Sequence, residues 1–344
     1  MTTTTVLITG AGGFLGSLLA DTLVKLQPQH MFQFILVDVR TPPAPKNTGI
    51  KSVCLAADLT TASGVESIFR TELGLPHIIY SLHGIMLKGA EENWDLGFWV
   101  NFESTRSLLD KTKELVPGVK FIFASSVGVF GGKLPEIVTQ DTYPRPESNY
   151  GMAKVRCEYL ITEYSRNLPT ITVRPGAPAA ATSAFVSGII REPLQGMIAS
   201  CPIGESADDP MLESTLFWIS SPSTVLENFV IAKNVPADKF PKYSRAINLP
   251  GFTVSVKEQV EASRKVAGDE AVALIKFEKD EVSERVVRSL PAKFDNEFAC
   301  RLGFKYEGVS GVFGCSEEGG GGVGNGGQTD SMHRYKKCHT YTRS

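Results

Sequence analysis

The stretch Thr9-Gly10-Ala11-Gly12-Gly13-Phe14-Leu15-Gly16 limits most sharply what this chain can fold into. A short apolar run, Val6-Leu7-Ile8, leads into it, and Leu18, Leu19, Leu23 and Leu26 follow at helical spacing, which predicts strand, tight turn, helix. Gly10, Gly13 and Gly16 let the backbone turn sharply, approach a pyrophosphate and pack the helix on the strand, with helix-terminal N–H groups facing the anion. The next predicted strand, Phe34-Ile35-Leu36-Val37, ends in Asp38, about where an acidic residue meets an adenosine ribose. A carboxylate there accepts from the 2′-hydroxyl and repels a 2′-phosphate, so the pattern favours NAD over NADP, although Arg40 stands two residues on.

Strands and helices alternate through the first half of the chain. Ser52 to Ala56 reads as a third strand, followed by Asp58, which is placed either to bond an adenine amino group or, like Thr60, to cap a helix. A fourth strand, His77 to Ser81, carries the chain to Leu82-His83-Gly84-Ile85; His83 has no identifiable sequence partner and is left out of the catalytic set. Apolar spacing predicts a helix over 91–115, broken by Val116-Pro117-Gly118, and Phe121 to Ala124 is a fifth, buried strand. This order predicts an α/β, Rossmann-type, doubly wound parallel sheet, in which ligands gather at the carboxyl ends of the strands.

The fifth strand ends at Ser125-Ser126, and Tyr150 and Lys154 lie four apart at the start of a helix reaching about Arg166. That spacing puts phenol and ammonium on one helix face. Oxidising a secondary alcohol by hydride transfer requires a base for the hydroxyl proton, and an ordinary tyrosine is too weak near neutral pH. Lys154 and a positively charged nicotinamide are expected to favour the phenolate, and Ser126 to hold the substrate oxygen.

With these motifs the sequence resembles the extended short-chain dehydrogenase/reductase family, which includes sugar-nucleotide epimerases and dehydratases. The likeness also rests on Asp58-Leu59, Val100-Asn101, Val129-Phe130-Gly131 and Val173-Arg174-Pro175-Gly176; Phe130 departs from the family's usual tyrosine. It implies Ser126, Tyr150 and Lys154 as the catalytic set. It also implies cofactor contacts from Gly10, Gly13, Phe14, Leu15, Gly16, Asp38, Asp58, Leu59, Tyr150, Lys154 and Pro175, and a homodimer formed through paired helices.

After the sixth strand, Ile171 to Arg174, a smaller C-terminal substrate lobe is expected, with helices over Ser255 to Val266 and Phe294 to Leu302. Its segments 182–194, 201–203 and 249–256 resemble the subgroup that oxidises D-erythronate, a four-carbon sugar acid, at C2; the likeness spans roughly residues 5 to 305. The implied reaction is NAD-dependent oxidation of that hydroxyl to a 2-keto acid. A small sugar acid needs a cation for its carboxylate and hydroxyls for its own, which Arg191, Ser183 and Ser187 can supply. Arg191 can equally form a surface pair with Glu192, and the serines can be helix caps. The competing readings are an epimerase or dehydratase with tightly held NAD, against which stands the lack of a clear basic set for a diphosphate after residue 176, and a non-catalytic NAD-binding regulator.

The expected division is an NAD-binding domain over 1–176, a lobe over 177–312 with elements returning to the sheet, and a disordered tail over 313–344. Repeated glycines from Gly319 to Gly327 cannot build a core, and His333, Cys338 and His339 lack the spacing of metal ligands, so no metal is expected. A net charge of −2 gives no footing for nucleic acid or an anionic membrane. No leader-like N-terminus or bilayer-length apolar run is evident, so the chain reads as cytoplasmic. The six cysteines lack C-x-x-C spacing, and no disulfide framework is expected.

Overall fold

The computed structural model describes residues 3–46, 49–175 and 185–306. Ser183, Gly176 and the 313–344 segment lie outside the described residues.

In chain order the first half comprises β1 (Thr4–Thr9), α1 (Gly16–Leu26), β2 (Phe32–Asp38), β3 (Ser52–Ala56), α2 (Ala62–Ser67), β4 (Ile78–Ser81), α3 (Leu87–Glu92), α4 (Trp94–Phe98), α5 (Ser104–Leu115), β5 (Lys120–Ala124), α6 (Asn149–Tyr164) and β6 (Thr170–Arg174). The second half comprises α7 (Phe185–Arg191), β7 (Ala199–Cys201), α8 (Met211–Ser214), β8 (Leu216–Ile219), α9 (Pro222–Ala232), β9 (Ala246–Asn248), β10 (Phe252–Ser255), α10 (Val256–Ala273), β11 (Ile275–Phe277), α11 (Glu281–Ser289) and α12 (Glu297–Arg301).

Seven strands form one parallel sheet in the order β3-β2-β1-β4-β5-β6-β9, the doubly wound arrangement the sequence predicts. The chain winds outward from β1 to β3 and then restarts at β4 on the other side of β1, so a crevice opens where Thr9 and Ser81 end their strands side by side. Successive residues of β1 face opposite sides: Val6 and Ile8 pack with Leu19 and Leu23 of α1, while Leu7 packs with Leu108 and Leu109 of α5. Helices therefore cover both faces, and the apolar strands are buried on both. Elements of the second half return to this core, with Phe229 of α9 and Ile247 of β9 joining the Val6 side.

A second apolar cluster gathers Phe185, Ile189, Phe217 and Val260 around α7 and α10, beside two small sheets, β7 with β11 and β8 with β10. α10 opens on a capping box between Ser255 and Glu258 and runs past the predicted end near Val266 to Ala273, bending at Gly268, whose φ is 76°. Two predicted helices are shorter than their apolar spacing suggested. The 91–115 stretch is broken at Asn93, whose side chain caps α4 by accepting from Leu96 N at 3.0 Å, and again by a π turn over Trp99–Glu103. Of 294–302 only Glu297–Arg301 is helical, because Phe294 is drawn into a strand-like bridge with Val138.

Among the described residues no helix is long and apolar enough to cross a membrane.

Candidate active site

The glycine turn is built for a close neighbour. Gly10 has a φ of +70°, and a Cβ there would lie 2.7 Å from His83 N. A Cβ on Gly16 would lie 2.1 Å from Gly10 O, so α1 can start against the turn only because that position is glycine. Gly10 and Gly13 border a cleft that is also lined by Asp38, Asp58 and Leu59 and by His83, Gly84 and Ser104. Phe14 is exposed beside the turn, and Leu15 opens α1.

Asp38 folds back on the turn. Its Oδ2 accepts from Gly12 N at 2.9 Å and its Oδ1 from Val39 N at 2.8 Å, which fixes the carboxylate at the cleft rim. Asp58 Oδ1 accepts from Thr60 N and Thr60 Oγ1 at 2.9 and 2.7 Å. The α2 cap is neither of the two residues the sequence suggested but Thr61, whose Oγ1 accepts from Gly64 N at 3.0 Å. Asp58 thus lines the cleft held in an Asx turn. A backbone cradle with no room for side chains, a carboxylate at its rim and a long cleft together fit an adenine dinucleotide.

At the carboxyl edge of β5 the catalytic candidates meet. Ser126 caps a short turn, accepting from Gly128 N at 3.0 Å, and its hydroxyl and the Tyr150 ring both lie against Gly128. Gly151 makes this approach possible, since a Cβ there would lie 2.2 Å from Gly128 O. Lys154, 4% exposed, donates to Ala124 O at 2.8 Å and lies 5.7 Å from the centre of the Tyr150 ring. Burial lowers the Lys154 ammonium to about 8, with Cys157 and Glu158 acting the other way. Burial also pushes the Tyr150 phenol up to about 12, with Ser126 acting the other way. In the protein alone, burial thus opposes the phenolate that Lys154 and a nicotinamide charge are expected to favour. Pro175 follows directly on β6, and its carbonyl accepts from Val127 N at 3.3 Å.

Sequence reasoning missed the residues behind this set. Glu158 and Arg174 form a buried ion pair, 2.7 Å from Nε to Oε1, with Ser125 donating to the same Oε1 at 2.6 Å and Arg174 Nη1 reaching Asn248 Oδ1 at 3.1 Å. Arg174 also lies over the ring of Phe130, the residue that departs from the family pattern. The signal was available in part: Glu158 stands one helical turn after Lys154, on the same face of α6. Asn101, in the π turn, pairs with both the N and O of Ile85 at 2.8 and 3.0 Å, fixing the cleft wall. Glu91 accepts from Asn149 N at 2.7 Å, tying α3 to the first turn of α6. His83, set aside for want of a partner, has one on each side: Nδ1 meets Thr9 Oγ1 at 2.6 Å and Nε2 meets Ser104 Oγ at 2.8 Å.

In the second lobe Arg191, at the end of α7, is ion-paired with Glu192. Offering its guanidinium to a substrate carboxylate requires that pair to open. Ser187 lies on the same helix.

A family model described as the NAD dependent epimerase/dehydratase family matches residues 6–204. The chain is 40% identical to a D-erythronate dehydrogenase of Haemophilus influenzae, over 88% of this chain and 95% of the relative. A D-erythronate dehydrogenase of Cupriavidus necator is 35% identical, over 87% and 93% of the two chains. Among solved structures, the nucleoside-diphosphate-sugar epimerase from Agrobacterium tumefaciens superimposes with a TM-score of 0.77 at 32% identity, covering 89% of this chain and 91% of that one. With the crevice, glycine turn and serine–tyrosine–lysine edge in place, the chain belongs to the NAD dependent epimerase/dehydratase family.

Proposed function

We propose that the protein oxidises the C2 hydroxyl of a small sugar acid, D-erythronate or a near relative, to the 2-keto acid. The observation that carries this reading is the meeting of Ser126, Tyr150 and Lys154 at the sheet edge in a chain similar to two D-erythronate dehydrogenases over most of its length.

Bound NAD supplies the hydride acceptor. Gly10, Gly13 and Gly16 make room for its pyrophosphate, Asp38 and Asp58 face the adenosine end, and Phe14, Leu15, Leu59 and Pro175 line its course. Ser126 holds the substrate oxygen beside the Tyr150 hydroxyl. Tyr150 takes the proton from that oxygen as the C2 hydride leaves, so the alcohol loses one hydride and one proton and becomes a ketone. Lys154, kept in place by Ala124 O, lends positive charge to the Tyr150 phenolate that accepts this proton and becomes the phenol. Arg191 then receives the substrate carboxylate after leaving Glu192, and Ser183 and Ser187 meet its hydroxyls.

Residues 1–176 act as the NAD-binding domain and 177–312 as the substrate lobe, a division supported by the separate apolar cluster around Phe185 and Val260. Two copies associate through α4 and α6, supported by Trp94, Leu96, Trp99, Met152 and Tyr159, all exposed on the π-turn and α6 side of the molecule. The thiols of Cys54, Cys157 and Cys201, free among the described residues, suit a reducing cytoplasm.

The test is reduced-nicotinamide absorbance on mixing the protein with NAD and D-erythronate, other aldonates and UDP-sugars. Turnover of the four-carbon acid is expected. Silence toward every aldonate, with NAD copurifying and a UDP-sugar epimerised, establishes instead the reading suggested by the epimerase named among the structural neighbours.

A further inference from the structure

We propose that His83 is a positioning residue of the cofactor cleft, its imidazole clasping Thr9 at the end of β1 and Ser104 at the start of α5 so that the two cleft walls keep a fixed separation. Thr9 and Ser104 are almost wholly buried, and Gly10, His83 and Ser104 all border the cleft. The ring thus spans from the glycine turn to the helix that follows the π turn.

The hydrogen bonds select one tautomer. Ser104 donates its hydroxyl proton to Val100 O at 2.6 Å, so it can only accept from His83, and Nε2 carries the hydrogen. Nδ1 is then bare and accepts from Thr9 Oγ1 at 2.6 Å; the alternative acceptor for that hydroxyl, Tyr80 O, is 3.5 Å away. Protonating Nδ1 would set two donors against each other. Around the ring β1 and β4 offer the hydroxyls of Thr9 and Ser81, α5 offers that of Ser104, and α6 contributes the Lys154 charge. Burial, aided by Lys154, holds His83 down at about 3. The ring is therefore neutral throughout the range in which an ordinary histidine titrates. It adds no charge to a cleft that must take up a diphosphate, and both its nitrogens are spent on protein, so its effect on the cofactor passes through the walls it joins.

This inference rests on NAD occupying the cleft, and the experiment separates the two. NAD affinity and turnover are measured for the wild type and for His83→Leu, His83→Gln, Ser104→Ala and the His83→Leu/Ser104→Ala pair. With two part-buried hydrogen bonds lost, His83→Leu is expected to raise the Kd for NAD by about tenfold while kcat at saturating NAD stays within about twofold. His83→Gln, which retains a donor and an acceptor, recovers part of the affinity, and Ser104→Ala adds little once His83 is gone. The wild-type Kd stays flat between about pH 5.5 and 7.5, because the imidazole does not titrate there. An unchanged Kd in His83→Leu, additive effects in the double variant, or a wild-type Kd with a midpoint near 6.5 that His83→Gln abolishes would each overturn the proposal. A wild type that fails to bind NAD overturns the cofactor reading itself, and this inference with it.

Discussion

The carboxyl edge of the large sheet and the second lobe treat their polar side chains in opposite ways. At the edge Asp38, Asp58, His83 and Lys154 are each fixed by a short bond to protein, and Glu158 and Arg174 form a closed network behind them. In the lobe, among the described residues, Arg191 is held only by its chain neighbour Glu192, and Gln259, with no exposed surface, has neither amide atom bonded. The edge's side chains are bonded to protein; the lobe retains hydrogen-bonding capacity that a ligand could use. Chemistry shared across a family suits the first, because proton and hydride transfer tolerate little misplacement. Substrate choice suits the second.

Three changes test this contrast. Tyr150→Phe removes the base from the organised edge and is expected to lower kcat by about 10³-fold, with NAD affinity nearly intact; steady-state kinetics beside a binding titration would show it. Surviving turnover would remove the edge's claim to the reaction. Arg174→Met leaves Glu158 as a buried, unpaired carboxylate and is expected to cost about 3 kcal/mol in chemical denaturation, much of it recovered by adding Glu158→Leu. Equal stability in the wild type and the single variant would mean that the network is not tightly closed. The smallest effect belongs to the lobe: Gln259→Leu should raise stability by about 1 kcal/mol, since the amide gives up water without gaining a partner. If the same change raises KM for the sugar acid, the contrast sharpens, because the unbonded amide then serves the substrate.

The first half of the fold was legible because its signals are local. A glycine turn between an apolar strand and a leucine-spaced helix has few other readings, and Ser126, Tyr150 and Lys154 fall where that architecture converges. What escaped the sequence depends on distant partners. His83 looked solitary because Thr9 is 74 residues away, and the Glu158–Arg174 pair became visible only once α6 and β6 were packed together. The break at Asn93 was hidden by apolar spacing that continued through it, and Phe294 left its expected helix because Val138 offered a bridge. The lobe was read least well: apart from α10 its elements are short, and short apolar runs do not distinguish helix from strand.

The position of β9 at the sheet's edge has a consequence for biosynthesis. β6 ends at Arg174 and its neighbour β9 begins only at Ala246, so the whole stretch between must leave the ribosome before the edge is covered. Until then a nascent chain exposes the backbone of β6 and leaves Arg174 without Asn248, and an unpaired strand edge of this kind invites association with other chains. The seventh strand is thus both the last part of the sheet to arrive and the part that protects it, so chains interrupted within the lobe are the ones most exposed to aggregation.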